Sequence, residues 1–136
     1  MAAGSIIPNE GLAELAGLAG ATGSPTAFTV LACGSGDTTP AAADSALATE
    51  ITDSGLARSA ATVSLVTTST SNDTLQLYKQ WTVSATKTIK EVGFTNKTTK
   101  DAAGEEWLYR EVISTERDVS SGDTYTVTGK TVFARG

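Results

Sequence analysis

The sequence predicts an all-β fold, an antiparallel β-sandwich wired as a jelly roll or another Greek key, with one short N-terminal helix. Three observations predict it. Leu75, Leu77, Trp81 and Val83 fall on one face of an extended run, and Ile89, Val92 and Phe94 return along a second, so residues 75–94 read as a hairpin with a heavy apolar face. Two strands alone are marginally stable in water, so other elements must cover that face. About seven such short runs occur along the chain, separated by turns of Gly, Ser, Asn and Asp at sandwich-like spacing. One stretch near the front, residues 9–20, carries a helical period instead.

Residues 1–8 read as an extended arm, because Pro8 disfavours helix at Ile7 and the two isoleucines have no periodic partner nearby. Ile6, Ile7 and Pro8 are therefore the candidate partner-binding residues, and the arm is expected to lie in a groove of a neighbouring subunit rather than on its own domain. Residues 9–136 read as one β-sandwich domain. Asn9 is a plausible N-cap, Leu12, Leu15, Ala16 and Ala19 recur at helical spacing, and Glu10 and Glu14 stand where the helix dipole favours acids. Gly11 and Gly17 each weaken that helix by roughly 1 kcal/mol relative to Ala. Docking against the sheet must hold it.

Gly23-Ser24-Pro25 breaks the chain, and residues 27–33 form a first strand, apolar on both faces and so central. A turn-rich loop over 34–44 leads to Leu47 and Ile51, which anchor an irregular segment on the core. A second strand spans 56–68, with Ala61, Val63 and Leu65 on one face and Arg58, Thr62 and Ser64 on the other. Its end, 67–73, is a polar hairpin tip. Between Ile89 and Val92 the alternation slips by one residue, which predicts a β-bulge at Lys90-Glu91. The Lys- and Thr-rich loop over 96–104 is mobile if nothing covers it. Residues 107–113 alternate with Trp107, Tyr109, Glu111 and Ile113 on one face, and a last strand over 124–134 puts Tyr125, Val127, Thr131 and Phe133 inside.

Composition narrows the function. At 136 residues the chain has the size of one domain, and a fold of that length buries roughly two-thirds of its unfolded surface. The net charge is −5 and no run of Lys or Arg could track a phosphate backbone, which argues against direct nucleic-acid binding. The N-terminus has no basic n-region, and Glu10 and Glu14 interrupt the apolar residues after it, so neither a secretory signal nor a membrane span is expected. The chain contains no histidine, which removes the commonest general base, the usual nucleophilic triads and most zinc chemistry. Cys33 is the only cysteine and reads as a small buried hydrophobe on a strand.

Each candidate for chemistry has a stronger structural reading. Gly34-Ser35-Gly36-Asp37 follows a strand, but the third glycine, Lys-Ser/Thr pair and βαβ context of a phosphate loop are missing, so it is a turn. Asp37, Asp44 and Asp53 lack the alternate-residue spacing of a calcium loop. Glu105 and Glu106 beside Trp107, with Glu111, suggest paired glycosidase carboxylates, yet adjacent strand residues point to opposite faces. They read as surface carboxylates paired near Arg110 and Lys79. Asn72-Asp-Thr and Asn96-Lys-Thr match glycosylation acceptors by letter and read as turns. No catalytic residue, no cofactor site and no metal site is assigned.

The run Phe28-Thr-Val-Leu-Ala-Cys-Gly-Ser-Gly-Asp-Thr-Thr-Pro-Ala-Ala-Ala-Asp-Ser-Ala-Leu47, followed by Thr49-Glu50-Ile51, resembles a group of small tailed-phage structural proteins. Later segments agree in order: Trp81-Thr-Val-Ser-Ala, Ile89-Lys-Glu-Val-Gly-Phe94, Leu108-Tyr-Arg and Ser121-Gly-Asp-Thr-Tyr-Thr-Val127. The resemblance spans most of the chain. It implies a non-enzymatic β-sandwich component of a virion, either a capsid decoration or cement protein that binds and stabilises the phage head shell, or a tail or fibre module that binds a host-surface receptor or glycan. The partners it implies are the major capsid protein or other virion subunits, with self-association on the particle, at the capsid surface or on the tail. That the whole chain is this one domain, with no heptads or repeats before it, favours the capsid reading. Cys33 departs from the small or apolar residue more usual before the Gly-x-Gly turn, which touches local packing only.

Overall fold

The apolar alternation of the chain is realised in two antiparallel sheets, seen in a computed structural model that describes residues 4–135. In chain order the elements are β1 (Gly4–Ile6), α1 (Asn9–Gly20), β2 (Val30–Gly34), β3 (Ser59–Ala60), β4 (Thr62–Val66), β5 (Thr74–Thr82), β6 (Lys87–Thr95), β7 (Trp107–Val119) and β8 (Thr124–Val132). One sheet runs β1-β7-β6-β2-β3 and the other β4-β5-β8. The chain crosses from the first sheet to the second after β3, returns after β5 and crosses again after β7. This is the all-β sandwich with one short helix that the sequence predicts.

The run over 75–94 is not a hairpin. β5 and β6 belong to different sheets and face each other across the sandwich, where Leu77, Trp81, Val83, Ile89, Val92 and Phe94 join one core. The reason lies at the corner. Backbone bonds from Val83 N to Asp123 O, from Gly122 N to Val83 O and from Ser84 N to Ser54 O carry the chain out of the second sheet. Alternation identifies which face is buried, whereas the partner of each edge is set by bonds to distant segments. Close approach completes the contact between sheets: a Cβ on Gly129 of β8 would stand 1.9 Å from Phe94 Cζ.

The irregularity expected at Lys90 exists, with the surplus on the other strand. Pairing passes from Ile89↔Arg117 to Glu91↔Val112, so Lys90 alone faces Ile113, Ser114, Thr115 and Glu116 of β7. A second shift, from Phe94↔Tyr109 to Thr95↔Trp107, leaves Leu108 extra. Trp107 and Tyr109 therefore do not share a face: Tyr109 lies 5.1 Å from Phe94 in the main core, and Trp107 forms a second cluster with Ala32 and Leu47. Residues 56–68, expected as one strand, are split by Ala61, whose N–H donates to Thr29 O, into β3 of one sheet and β4 of the other.

Helix α1 occupies the predicted residues but docks by another face. Gly11 is its buried residue, Leu15 is half-buried against the core, and Leu12, Ala16 and Ala19 point outward. A Cβ on Gly11 would stand 2.5 Å from Trp107 O, so the glycine that weakens the isolated helix is what lets its backbone lie on β7. Pro8 rather than Asn9 takes the N-cap position, its carbonyl accepting from Leu12 N at 3.1 Å.

Candidate functional site

Of the candidate partner-binding residues, Ile6 lies in β1 of the protein's own sheet, and Ile7 and Pro8 follow it toward α1. β1 pairs with β7 in the register Gly4↔Val112, Ser5↔Glu111 and Ile6↔Arg110. Ile6 and Ile7 are half-buried, Ile7 against the core, and Pro8 is buried. The described part of the arm thus forms an edge strand of its own sheet over Gly4–Ile6, because β7 offers it an open row of backbone donors and acceptors beside apolar surface. Met1, Ala2 and Ala3 lie outside the described residues.

The strongest polar constellation is one that sequence reading missed. Glu91 on β6 is fully buried, and its carboxylate accepts from Gly36 N (3.2 Å), Ala48 N (3.0 Å), Thr49 N (2.7 Å) and Arg110 Nε (3.0 Å). Arg110 on β7 donates onward to Asp44 Oδ2 (2.8 Å) and Thr38 O (2.7 Å). A second buried cation, Arg58, forks onto Glu50 at 2.7 and 2.5 Å, reaches Lys97 O and the Glu105 carboxylate, and stacks 5.1 Å over the Trp107 ring. Together they fasten the irregular segment over 35–50 onto the outside of the five-stranded sheet. The signal was present as Glu91 and Arg110 among apolar strand neighbours, but two charges on separate strands do not announce that they meet.

These groups clamp one segment of the chain to another. Every carboxylate oxygen of Glu91 and Glu50 is engaged by a hydrogen-bond donor. Glu105 binds Arg58 and Glu111 accepts from the Tyr109 hydroxyl, so Arg110 serves Glu91 and Asp44 instead of the Glu105, Glu106 and Glu111 carboxylates expected near it. Asp37, Asp44 and Asp53 go to different cations, Lys90, Arg110 and Lys87. Among the described residues no group of His, Cys, Asp and Glu is arranged to hold a metal ion. Cys33 is fully buried, and burial, with the charges of Glu50 and Glu91, pushes its thiol up to about 12. It is inert at neutral pH.

One carboxyl is poised differently. Glu10, in the first turn of α1, accepts from Trp107 N at 2.9 Å. Burial, with the neighbouring Glu106 and Glu105, raises its pKa from 4.5 to about 7, against the opposing effect of the Trp107 N–H.

The remaining candidate surface is apolar. Leu12 (53% exposed) and Leu18 (37%) stand on the outer side of α1. Val63 (43%) and Leu65 (62%) stand on the three-stranded sheet, and Phe133 (53%) follows the end of β8. Val63 pairs with core Leu77 and Leu65 with Leu75, so both share the inward face of the sheet, yet they remain exposed on its edge strand. A surface cavity of about 350 Å³ lies beside the loop of β7 opposite Lys90. There Lys90 Nζ is held between Asp37 (3.2 Å) and Glu116 (3.6 Å). Comparison of the chain with protein families, with curated proteins and with solved structures finds no match.

Proposed function

We propose that this protein is a non-enzymatic virion structural protein that decorates and stabilises a phage head shell. The observation that carries the reading is a fold whose buried charges are spent on clamping its own loops while large apolar side chains stay in water. A surface of that kind suits protein–protein contact. On α1, Leu12, Ala13, Ala16, Leu18 and Ala19 give an outer side with no charge, set firmly on β7 through Gly11. The ordered resemblance to small tailed-phage structural proteins supplies the partner class, the major capsid protein.

The test is co-sedimentation with heads assembled from the major capsid protein of the same phage, followed by a density map of the decorated particle. Wild-type protein should pellet with heads, and Leu12→Glu should reduce its retention without changing its melting temperature. Protein that stays in the supernatant, or density found on the tail instead of the shell, overturns the head assignment.

A further inference from the structure

We propose that β4 is a self-association edge, at which two copies of this chain pair antiparallel about Ser64 and join their three-stranded sheets into one six-stranded sheet. The proposal is independent of the virion reading. It rests on how differently the sheet edges are treated. An edge strand presents unpaired backbone donors and acceptors, and proteins blunt such edges by shortness, charge, Pro or a bulge. Among the described residues, β1 and β3 end the larger sheet with only three and two residues. β8, at one side of the smaller sheet, carries Lys130 and Gly129. β4, at the other side, has none of these devices: Thr62-Val63-Ser64-Leu65-Val66 is rich in β-branched residues, regular in its pairing with β5, and without charge.

The occupant follows from symmetry and charge. A two-fold interface sets a strand against itself, so any charge on the strand meets its own copy nearby. From Ser59 through Asn72 no residue is charged, in a chain whose net charge of −5 otherwise repels a second copy. Faces must also match, which requires odd residues opposite odd and even opposite even. The register centred on Ser64 places Val63 against Leu65 of the copy on the inner face, twice, and Thr62 against Val66 on the outer face. The inner side chains are 43% and 62% exposed at present and would be covered by each other.

A seam of five residues a side is smaller than the roughly 20–30 residues a side of a standard stable interface, so association should be weak and rise with concentration. Sedimentation velocity over a concentration series of the full chain reads it. Wild type should shift from monomer to dimer, and Leu65→Lys should weaken the dimer by about tenfold or more, with an unchanged circular dichroism spectrum. A mixture of L65K with V63E protein sets opposite charges across the seam and should recover the dimer, whereas each variant alone associates more weakly than wild type. Wild type that stays monomeric to its solubility limit overturns the proposal. So does a dimer indifferent to L65K, since the seam would then lie elsewhere.

Discussion

Glu91 occupies a strand position that is fully buried, and it is tolerated because three backbone N–H groups and Arg110 surround it. Removing one member of such a buried set leaves the other uncompensated, which costs about 3–5 kcal/mol. Glu91→Ala should therefore lower the urea midpoint sharply. It should also release the segment over 35–50, read as faster amide exchange at Ala48 and Thr49; a variant as stable as wild type would show that the clamp is not needed. Glu10 carries a pH effect of definite sign. Its folded pKa, raised from 4.5 to about 7 first by burial, lies above the unfolded value, so between those limits the folded state binds the extra proton. The stability it contributes is complete below about 4.5 and is lost as pH rises through about 7. Glu10→Gln, which mimics the neutral acid, should flatten the fall in melting temperature across that window. An unchanged slope would assign the effect elsewhere. None of these residues was legible as functional in sequence, because Glu10, Glu91 and Arg110 acquire their roles from segments far along the chain, such as Trp107, Ala48 and Asp44.

At the scale of elements, the arm is the clearest change of role. As an edge strand, β1 covers β7 and brings Ile6 and Ile7 down to half-buried positions. Deleting residues 1–7 should now lower the melting temperature of the isolated protein, the reverse of what a free arm would do. An unchanged melting temperature would show that the strand contributes nothing to its own fold. The pattern in sequence, two isoleucines before a proline, shows an extended apolar segment but not the surface it lies on. The loop over 96–104 was open in the same way. Asn96 closes it, donating to Gly104 O at 3.1 Å while its Oδ1 accepts from Glu106 N at 2.9 Å. At the tip over 67–73, Asp73 accepts from the backbone of Thr70, Thr68 and Ser69, which holds its carboxyl well below the usual carboxylate range.

In the whole molecule the two sheets meet through Trp81 and Phe94, one from each, with Tyr125 stacked 6.1 Å from Trp81 and Gly129 admitting the Phe94 ring. Trp81→Ala and Phe94→Ala should each destabilise by about 3–5 kcal/mol in urea denaturation. Wild-type midpoints for both would mean that the core lies elsewhere. Those two rings were readable from alternation alone, as were the sandwich class, the short helix over residues 9–20 and the irregularity at Lys90. Each of these depends on side-chain period, turn residues or local composition, which act over a few neighbours and are written directly in the chain. Tertiary structure alone decided that β5 and β6 lie in opposite sheets and that α1 docks by Gly11 and leaves Leu12 in water. It also decided that Glu91 and Arg110 meet beneath the segment over 35–50, and that Val63 and Leu65 stay exposed on the inward face of an edge strand. The physical reason is common to all four. A period says which side of an element is apolar, while the partner that covers that side is chosen by competition among backbone bonds, close glycine contacts and ion pairs between residues remote in sequence.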